Sequence, residues 1–396
     1  MNFITDLDVK GKLVFLRVDF NVPLDENGEI RDDNRIKASL PTIRYLLDHG
    51  ARLVISSHLG RPKGKADPKM SLKPAAKRLA ELIPNKVVMA PDVVGDEVAK
   101  LKRALGEGEA LVLENVRFYM EEEKNEPEFA AKLAEGIDIF VNDAFGSSHR
   151  AHASVVGIAD FVPVKAAGYL MKKEVDYLKK AVHTPEKPYV AILGGAKVSD
   201  KIEIIESLLG KADHIPIGGA MAYTFLKAQG LGVGKSLVED DQREMALVIL
   251  KNARTKNTSI HLPLDHVLAS AAEAGARTRT VEALPFPDDL MGVDIGPKTV
   301  AAYAAIIAGA KTIFWNGPVG AFETPPFEAG TFAVARMIAD ATGRGAVSVI
   351  GGGDSAAAVE QAGLAERVTH ISTGGGASLE FLEGKRFDPI EVLDDA

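Results

Sequence analysis

Short apolar runs rich in Val, Ile and Leu, each leaving through a polar or glycine-rich turn into a helix-like stretch, recur along the whole chain. "RLVISSHLG" reads as a strand running into a loop, and "SLKPAAKRLAELI" as a capped amphipathic helix. "NKVVMAPDVVG", "EALVLENVRF" and "DIFVNDAFGSSHRAHAS" repeat the strand and its polar exit. Strands that alternate with helices need crossover connections, so the fold class is α/β with mainly parallel sheets. At 396 residues the chain exceeds one ordinary domain, and two Rossmann-like three-layer (αβα) domains are expected. In such sheets ligands bind beyond the carboxyl ends of the strands.

Composition removes several classes. A hydrophobic content of 46% and a charged content of 26% belong to a soluble globular chain. The formal net charge of -8 argues against a nucleic-acid binder, although a local basic pocket for a small anion stays open. Without Cys there is no disulfide, thiolate metal site or Cys nucleophile. The N-terminus "MNFITDLDVKGK" is no secretory signal, and no apolar run reaches membrane-spanning length. A cytoplasmic location without a membrane partner is expected.

The strand exits of the first half carry an unusual set of side chains. In "KLVFLRVDFNVP" the residues Arg17, Asp19 and Asn21 alternate, so an extended chain puts them on one face. Arg35 follows in "DDNRIKASLP", His58 and Arg61 leave the second strand, Arg117 the fourth, and Asn142, Asp143, His149 and Arg150 the fifth. Repeated at strand ends, these groups read as the lining of one shared pocket. Arg and His there suit a phosphate or carboxylate, which a planar guanidinium holds through two hydrogen bonds.

"AGYLMKKEVDYLKKAVHTPEKP" reads as a connecting helix that breaks at Pro185 and Pro188. Beyond it, "YVAILGGAKVSDKIEIIESLLGKAD", "HIPIGGAMAYTFLKAQG", "GAVSVIGGGDSAAAVEQAG" and "RVTHISTGGGASLEFLEG" each run strand, glycines, helix. Glycines admit a ligand to the backbone amides, and the following helix N-terminus favours phosphate, so the second half reads as a polyphosphate site. A helix beginning near Lys197 would put Lys197 and Lys201 on one side and Ile202, Ile205 and Leu209 in the core. "QGLGVGKS" approaches the phosphate-loop pattern, but Gln229 replaces its first glycine and a helix precedes it where a strand should.

"FLRVDFNVP", "SSHLGRPKG", "LENVRFY", "NDAFGSSHRAHAS", "LGGAKVSDKI", "FWNGPVGAFE", "VIGGGDS" and "ISTGGGASLE" stand in one order, and together they resemble the phosphoglycerate kinase family over essentially the whole chain. That family interconverts ATP plus 3-phosphoglycerate with ADP plus 1,3-bisphosphoglycerate, in glycolysis and carbon fixation. The resemblance implies substrate contacts at Asp19, Asn21, Arg35, His58, Leu59, Gly60, Arg61, Arg117 and Arg150. It implies nucleotide contacts at Gly194, Lys197, Lys201, Gly218, Gly219, Gly292, Asn316, Pro318 and Glu323 and in the loop Gly351, Gly352, Gly353, Asp354 and Ser355. Asp354 would bind the Mg²⁺ carried with the nucleotide, and Glu323 the ribose. Arg35, Lys197, Lys201 and the amides near Gly353 and Gly376 are the expected catalytic groups.

The same resemblance implies an N-terminal domain over 1–168, a connecting helix over 169–185, a nucleotide domain over 186–374, and a segment 375–396 returning to the first domain. A monomer is expected, with small-molecule substrates as its partners. Two rivals stand beside this reading. A dinucleotide-dependent oxidoreductase should carry G-x-G-x-x-G after the first strand, and this chain does not. A non-catalytic nucleotide- or sugar-phosphate-binding regulator would differ only in assay.

Overall fold

The run "LVFLR" forms the strand β1 (Leu13–Arg17), buried along its whole length because neighbours flank it on both sides. The computed structural model describes residues 2–182, 184–282, 285–385 and 387–393. β1 pairs in parallel with β2 (Arg52–Ser56) and, further along the chain, β3 (Val87–Met89) pairs with β4 (Ala110–Val112). On the other side of β1 lie β5 (Ile139–Asn142) and β6 (Val164–Ala167), giving the parallel order β3-β4-β2-β1-β5-β6. Being covered on both faces, these strands read as near-continuous apolar runs, the pattern of a buried parallel sheet.

Helix Asn34–Asp48 shows how the sheet is covered. It buries Ile36, Leu40, Ile43 and Leu47, spaced on one helical face, against Val14, Leu16, Leu53 and Ile55. Each fully buried aliphatic side chain of this kind contributes about 1.5–3 kcal/mol. The chain leaves β1 toward β2 but crosses from β4 to β5 on the opposite side. The loops after β1 and β5 therefore part at the β1/β5 boundary, which is where such a sheet opens a crevice.

A second six-stranded parallel sheet repeats the device. Its strands are β7 (Tyr189–Leu193), β8 (His214–Pro216) and β9 (Ser259–His261), then, further along the chain, β13 (Thr312–Asn316), β14 (Val347–Gly351) and β15 (His370–Ile371). Their order is β15-β14-β13-β7-β8-β9, so the switch lies between β7 and β13. Between β9 and β13, the strands β10 (His266–Ala269), β11 (Thr278–Val281) and β12 (Met291–Ile295) form a small antiparallel sheet. The core of the large sheet includes Val190, Ile192, Tyr303, Ile307 and Trp315. Trp315 is fully buried and its Nε1 donates to the Gly317 carbonyl at 2.8 Å, which ties the exit of β13 to the core.

The chain divides into two compact units, 1–175 with 386–396, and 176–385. The division falls within the helix Tyr169–Val182, so the expected connecting stretch 169–185 is helical up to Val182, and its His183 lies outside the described residues. Residues 375–385 group with the second unit. The terminal stretch 387–393 packs within the first unit: Asn2 N donates to the Leu393 carbonyl at 3.4 Å, and Phe387 stacks on Phe145 at 6.3 Å. Positions 386 and 394–396 of the expected returning segment lie outside the described residues.

Two local expectations need correction. Strand β1 ends at Arg17, so Asp19 and Asn21 do not continue its face but sit in the exit loop. The helix after β7 begins at Ile202, with Lys201 as its N-cap; Lys197 lies in the loop before it, so the two lysines are not one turn apart on a helix. The glycine turn takes up more chain than a simple strand–turn–helix spacing allows. That shift also changes the buried face, which is Ile204, Ile205 and Leu208, with Leu209 buried at the C-cap and Ile202 only half-buried.

Candidate active site

Arg17, at the end of β1, is fully buried, and each of its three guanidinium nitrogens has a partner. Nε donates to Ser154 Oγ at 2.8 Å, Nη1 to the Val18 carbonyl, and Nη2 faces His58 Nδ1 at 3.2 Å. Ser154 in turn donates through Oγ to Glu122 Oε1 at 2.6 Å and through its amide to Oε2 at 2.9 Å. Glu122 is itself fully buried, so a guanidinium and a carboxylate share the floor of this site through a serine hydroxyl. Such a pair holds geometry more than it adds stability, because both ions lose their hydration.

The residues of the β1 exit are built on that floor. Asp19 accepts from the Asn21 amide at 3.0 Å and forms an ion pair with Arg35. Asn21 Oδ1 accepts the Gly60 amide at 2.8 Å, while Arg117 Nη1 donates to the Gly60 carbonyl at 2.9 Å. Gly60 is thus pinned through the peptide units on both of its sides. Gly60 has φ +62°, a backbone conformation that calls for glycine, and a Cβ there would also press on the Met70 side chain, with Sδ at 2.9 Å. Arg61 follows it, exposed; Arg150 is half-buried, with its Nε on His149 Nε2 at 2.9 Å.

These cations are held at an electrostatic cost. Burial, followed by the charges of Arg17 and Arg150, draws Arg117 down to about 10. Burial puts His58 well below the usual imidazole range; Asp19 opposes this, and Arg17, Arg117 and Arg35 reinforce it. His152 is drawn down to about 3 by burial and the neighbouring arginines. Burial alone would raise Asp19, but Arg35, the Asn21 amide and Arg17 outweigh it and lower the carboxyl. Arg117 Nε is buried without a hydrogen-bond partner, with Glu123 Oε1 at 3.6 Å. A crowd of partly satisfied cations around one turn is an arrangement that a bound anion stabilises.

Asn142 and Asp143, at the β5 exit, have other uses. Asn142 Oδ1 accepts the Ala144 amide at 3.0 Å, and Asp143 Oδ1 accepts the Met171 amide at 3.0 Å. They organise backbone. A larger cavity of about 1160 Å³ lies elsewhere in the first unit, between the Asn27–Asp33 loop and the helix Lys73–Leu82, and none of the expected substrate residues lines it.

In the second unit the β7/β13 switch is made from backbone. Gly194 N donates to the Asn316 carbonyl and Gly195 N to the Pro318 carbonyl, both at 2.9 Å. A Cβ on Gly194 would lie 2.1 Å from the Pro318 oxygen, so the two exits can cross here only without a side chain. Gly218 and Gly219 repeat the approach: Gly219 N donates to the Val319 carbonyl at 2.8 Å, and a Cβ on Gly218 would meet Val319 Cβ at 2.4 Å. Asn316 bonds the Gly351 carbonyl at 2.7 Å and accepts from Lys201 Nζ. Ser355 Oγ accepts the Gly317 amide at 2.6 Å, so this hydroxyl fixes the neighbouring turn with a lone pair, while its own proton and the backbone amides of the Gly353–Ser355 turn remain as donors for an anion.

A cavity of about 310 Å³ opens beside this junction, lined by Gly219, Gly292, Pro318, Glu323 and Asp354 among others. It is the size of the smaller ligand pockets. Tyr223, Leu237, Met291 and Phe322 supply its apolar wall, and sequence reading missed all four. Gly292 marks the contact: a Cβ there would sit 1.9 Å from Tyr223 Oη. Asp294, also in the wall, accepts the Ile295 amide at 2.8 Å and the Gly330 amide at 2.7 Å, and burial pushes its carboxyl up to about 7. Lys197 is exposed, Lys201 is half-buried and lowered by burial, and Gly351 is buried; Gly352 caps the helix Gly353–Gln361 and Gly376 begins the helix Gly376–Leu382. The "QGLGVGKS" stretch is no phosphate loop, since it leaves the helix Met221–Ala228 and not a strand; its Ser236 Oγ accepts the Gly292 amide at 2.9 Å.

The family model described as phosphoglycerate kinase matches residues 4–385. The chain belongs to the phosphoglycerate kinase family. It is 55% identical over 391 residues to the cytosolic phosphoglycerate kinase of Triticum aestivum, covering 99% of this chain and 97% of that protein. With the phosphoglycerate kinase of Anaeromyxobacter dehalogenans (strain 2CP-C) it is 55% identical over 391 residues, 98% of each chain. A solved phosphoglycerate kinase from Coxiella burnetii superimposes with a TM-score of 0.91 at 40% identity, over 99% of this chain and 98% of that one. As a phosphoglycerate kinase family member the chain is a phosphotransferase whose acceptor is a carboxyl group. Among the described residues no helix is long and apolar enough to cross a membrane.

Proposed function

We propose that the chain reversibly transfers a phosphoryl group between ATP and the carboxylate of 3-phosphoglycerate, giving ADP and 1,3-bisphosphoglycerate, in cytoplasmic glycolysis and as a monomer. The observation that carries this is the contrast between two switch points: a buried cationic cluster in the first unit and a glycine junction beside a 310 Å³ cavity in the second. The first suits an acidic metabolite with fixed charges. The second suits a nucleotide, with the base and ribose against Tyr223, Phe322 and Glu323 and the phosphates along the glycines.

The acceptor is a carboxylic acid with a pKa of roughly 3.5, already ionised at neutral pH. No side chain therefore has to remove a proton, unlike kinases that phosphorylate a hydroxyl. What the protein supplies is positioning and charge. In this reading Asp19, Asn21, His58, Leu59, Gly60, Arg61, Arg117 and Arg150 hold the acid. Arg35 and Lys197 neutralise the phosphoryl group as its bond to the leaving phosphate breaks and the bond to the carboxylate forms. Lys201 attends the nucleotide phosphates, and the amides near Gly353 and Gly376 donate to the same oxygens.

A Mg²⁺ arriving with its nucleotide takes most of its ligands from phosphate and water and needs only one or two carboxylates. Asp354 fits that need: it is exposed, lines the cavity, and follows the Gly352–Gly353 turn, while among the described residues no three His, Cys, Asp or Glu side chains form a cage of their own. When bound, the ion would offset phosphate charge; Asp354 would hold and orient it.

With one reactant on each unit, reaction requires the two units to close on each other and exclude water. The helix Tyr169–Val182 and the "STGGGAS" stretch, where Ser372 and Ser378 hydroxyls bond each other, are the proposed hinges. A coupled assay with ATP and 3-phosphoglycerate, trapping acyl phosphate with hydroxylamine, tests the function. Acyl phosphate formation is expected. Binding of both ligands without product would leave a regulator, and reduction of a nicotinamide nucleotide in its place an oxidoreductase.

A further inference from the structure

We propose that Arg17, anchored by Ser154 and Glu122, fixes His58 as a neutral imidazole with its proton on Nε2, so that His58 meets its ligand as a hydrogen-bond donor rather than as a cation. A guanidinium carries only N–H donors and no acceptor. With Arg17 Nη2 at 3.2 Å from His58 Nδ1, that nitrogen must present its lone pair. A proton on Nδ1 would set one N–H against another.

Arg17 has no freedom to turn away. Its Nε is held by Ser154 Oγ at 2.8 Å and its Nη1 by the Val18 carbonyl, and the side chain is fully buried. Ser154 cannot reverse the direction either, because its own proton goes to Glu122 Oε1 at 2.6 Å. Every donor in the chain therefore points one way: from Arg17 inward through Ser154 to Glu122, and from Arg17 outward to His58. Once Nδ1 accepts, the only N–H left on a neutral ring is at Nε2.

The charges facing His58 support neutrality. Asp19, from the β1 exit, favours the cation; Arg17 from β1, Arg117 from the Val116–Phe118 turn and Arg35 from the helix Asn34–Asp48 oppose it, as does burial, the largest cause. A neutral donor brings a directed bond to an anion without adding repulsion to a crowd of arginines. Arg17 is thus a positioning residue that acts through His58. Its consequence for substrate rests on the proposed reading of this site; the tautomer itself does not.

The test is a long-range ¹H–¹⁵N spectrum of the ligand-free full chain. Substrate kinetics alone would not isolate the ring, since a phosphate group itself titrates near pH 6. The chain has nine histidines, and the signal lost in His58→Gln identifies the one at issue. One bare Nδ1 and one protonated Nε2 are expected, unchanged between about pH 6 and 8. A protonated Nδ1 at neutral pH, alone or with Nε2, overturns the proposal.

In Arg17→Lys a single ammonium cannot serve Ser154, the Val18 carbonyl and His58 together. His58 should then mix tautomers and titrate at higher pH. KM for 3-phosphoglycerate should rise about tenfold or more, with a smaller change in kcat. A folded Arg17→Lys protein whose His58 keeps the pure Nε2–H form overturns the lock. If Arg17→Lys does not fold, Ser154→Ala, which frees Nε but keeps the charges, carries the same two outcomes. A tautomer that shifts with KM unmoved supports the lock and removes His58 from the substrate site.

Discussion

The two parallel sheets solve one problem by opposite means. In the first unit the mouth of the sheet is made of side chains: buried Arg17 and Glu122 form a floor on which Asp19, Asn21, His58 and Arg117 are fixed by named hydrogen bonds. In the second it is made of backbone: glycines at 194, 195, 218 and 219 let two strand exits cross, and an apolar cavity opens beside them. Charges confined in low dielectric discriminate by sign and by hydrogen-bond direction. A backbone junction discriminates by shape and close approach. The first device is rigid because moving any member strands a buried ion, the second because no side chain has room.

The comparison breaks most visibly if the buried pair of the first unit proves dispensable. Glu122→Leu takes from Arg17 the stronger of the two carboxylate charges acting on it, Asp19 being the other, and takes from Ser154 its acceptor, so a loss of about 3–5 kcal/mol in unfolding free energy is expected. Adding Arg17→Met should recover much of that loss, because two apolar groups replace two ions, while substrate binding stays impaired. Denaturant titration of both variants decides it. A single variant as stable as the wild type would mean that the floor is not held together by charge.

The next largest effect belongs to the second unit, whose one exposed cation in the glycine loop is Lys197 among the proposed catalytic groups. Unlike Arg17 it is not built into a floor, so Lys197→Ala should leave stability almost untouched. Turnover should fall by about 10²- to 10³-fold, the usual cost of losing one donor to developing charge. The affinity for 3-phosphoglycerate, measured by isothermal calorimetry, should not change. Near-normal turnover would take Lys197 out of the reaction and leave the second unit with backbone alone.

What could be read in advance follows the same contrast. The alternation of apolar runs and helices gave two parallel sheets, because buried parallel strands announce themselves as unbroken runs such as "LVFLR". The imidazole at 58 and the guanidinium groups at 61, 117 and 150 could be placed at strand exits from order alone. The floor beneath them could not. Arg17 looked like one more member of a polar face, while Glu122 and Ser154 carried no signal, since their bond joins residues 32 positions apart. In the second unit the glycines were legible as turns. The cavity wall was not: Tyr223 and Phe322 look like ordinary core, and only the 1.9 Å clash of a Cβ at Gly292 shows why that glycine stands opposite an aromatic ring. The helix expected from Lys197 failed because a glycine junction uses several residues before the first turn can close.

A buried carboxyl sharpens the contrast further. The ionisable groups of the first unit's mouth are mostly cations pushed down, whereas Asp294 in the second is a carboxyl pushed up to about 7 by burial. Its folded value lies above its unfolded value near 3.8, so the protonated form is the stabilising one. That contribution is complete below about pH 3.8 and is lost as pH rises through about 7. Between pH 5 and 8 the second unit should lose about 2–3 kcal/mol from this group. Asp294→Asn should flatten that slope in chemical unfolding followed at both pH values. An unchanged slope would place the titration elsewhere.

The smallest effect is at the edge of the cationic mouth. Arg150 is half-buried and rests on His149 at 2.9 Å, whereas Arg117 is buried and donates to the Gly60 carbonyl. Arg117, drawn down to about 10 in part by Arg150, stays charged at neutral pH with or without that neighbour, so what is lost is one cation at the rim. Arg150→Ala should therefore raise KM for 3-phosphoglycerate by about tenfold, the lower end for a charge-assisted hydrogen bond, with little change in KM for ATP. Equal rises in both constants would mean that Arg150 acts on the shape of the whole protein rather than on one anion. No rise in either would shrink the side-chain mouth to the residues fixed on the buried floor.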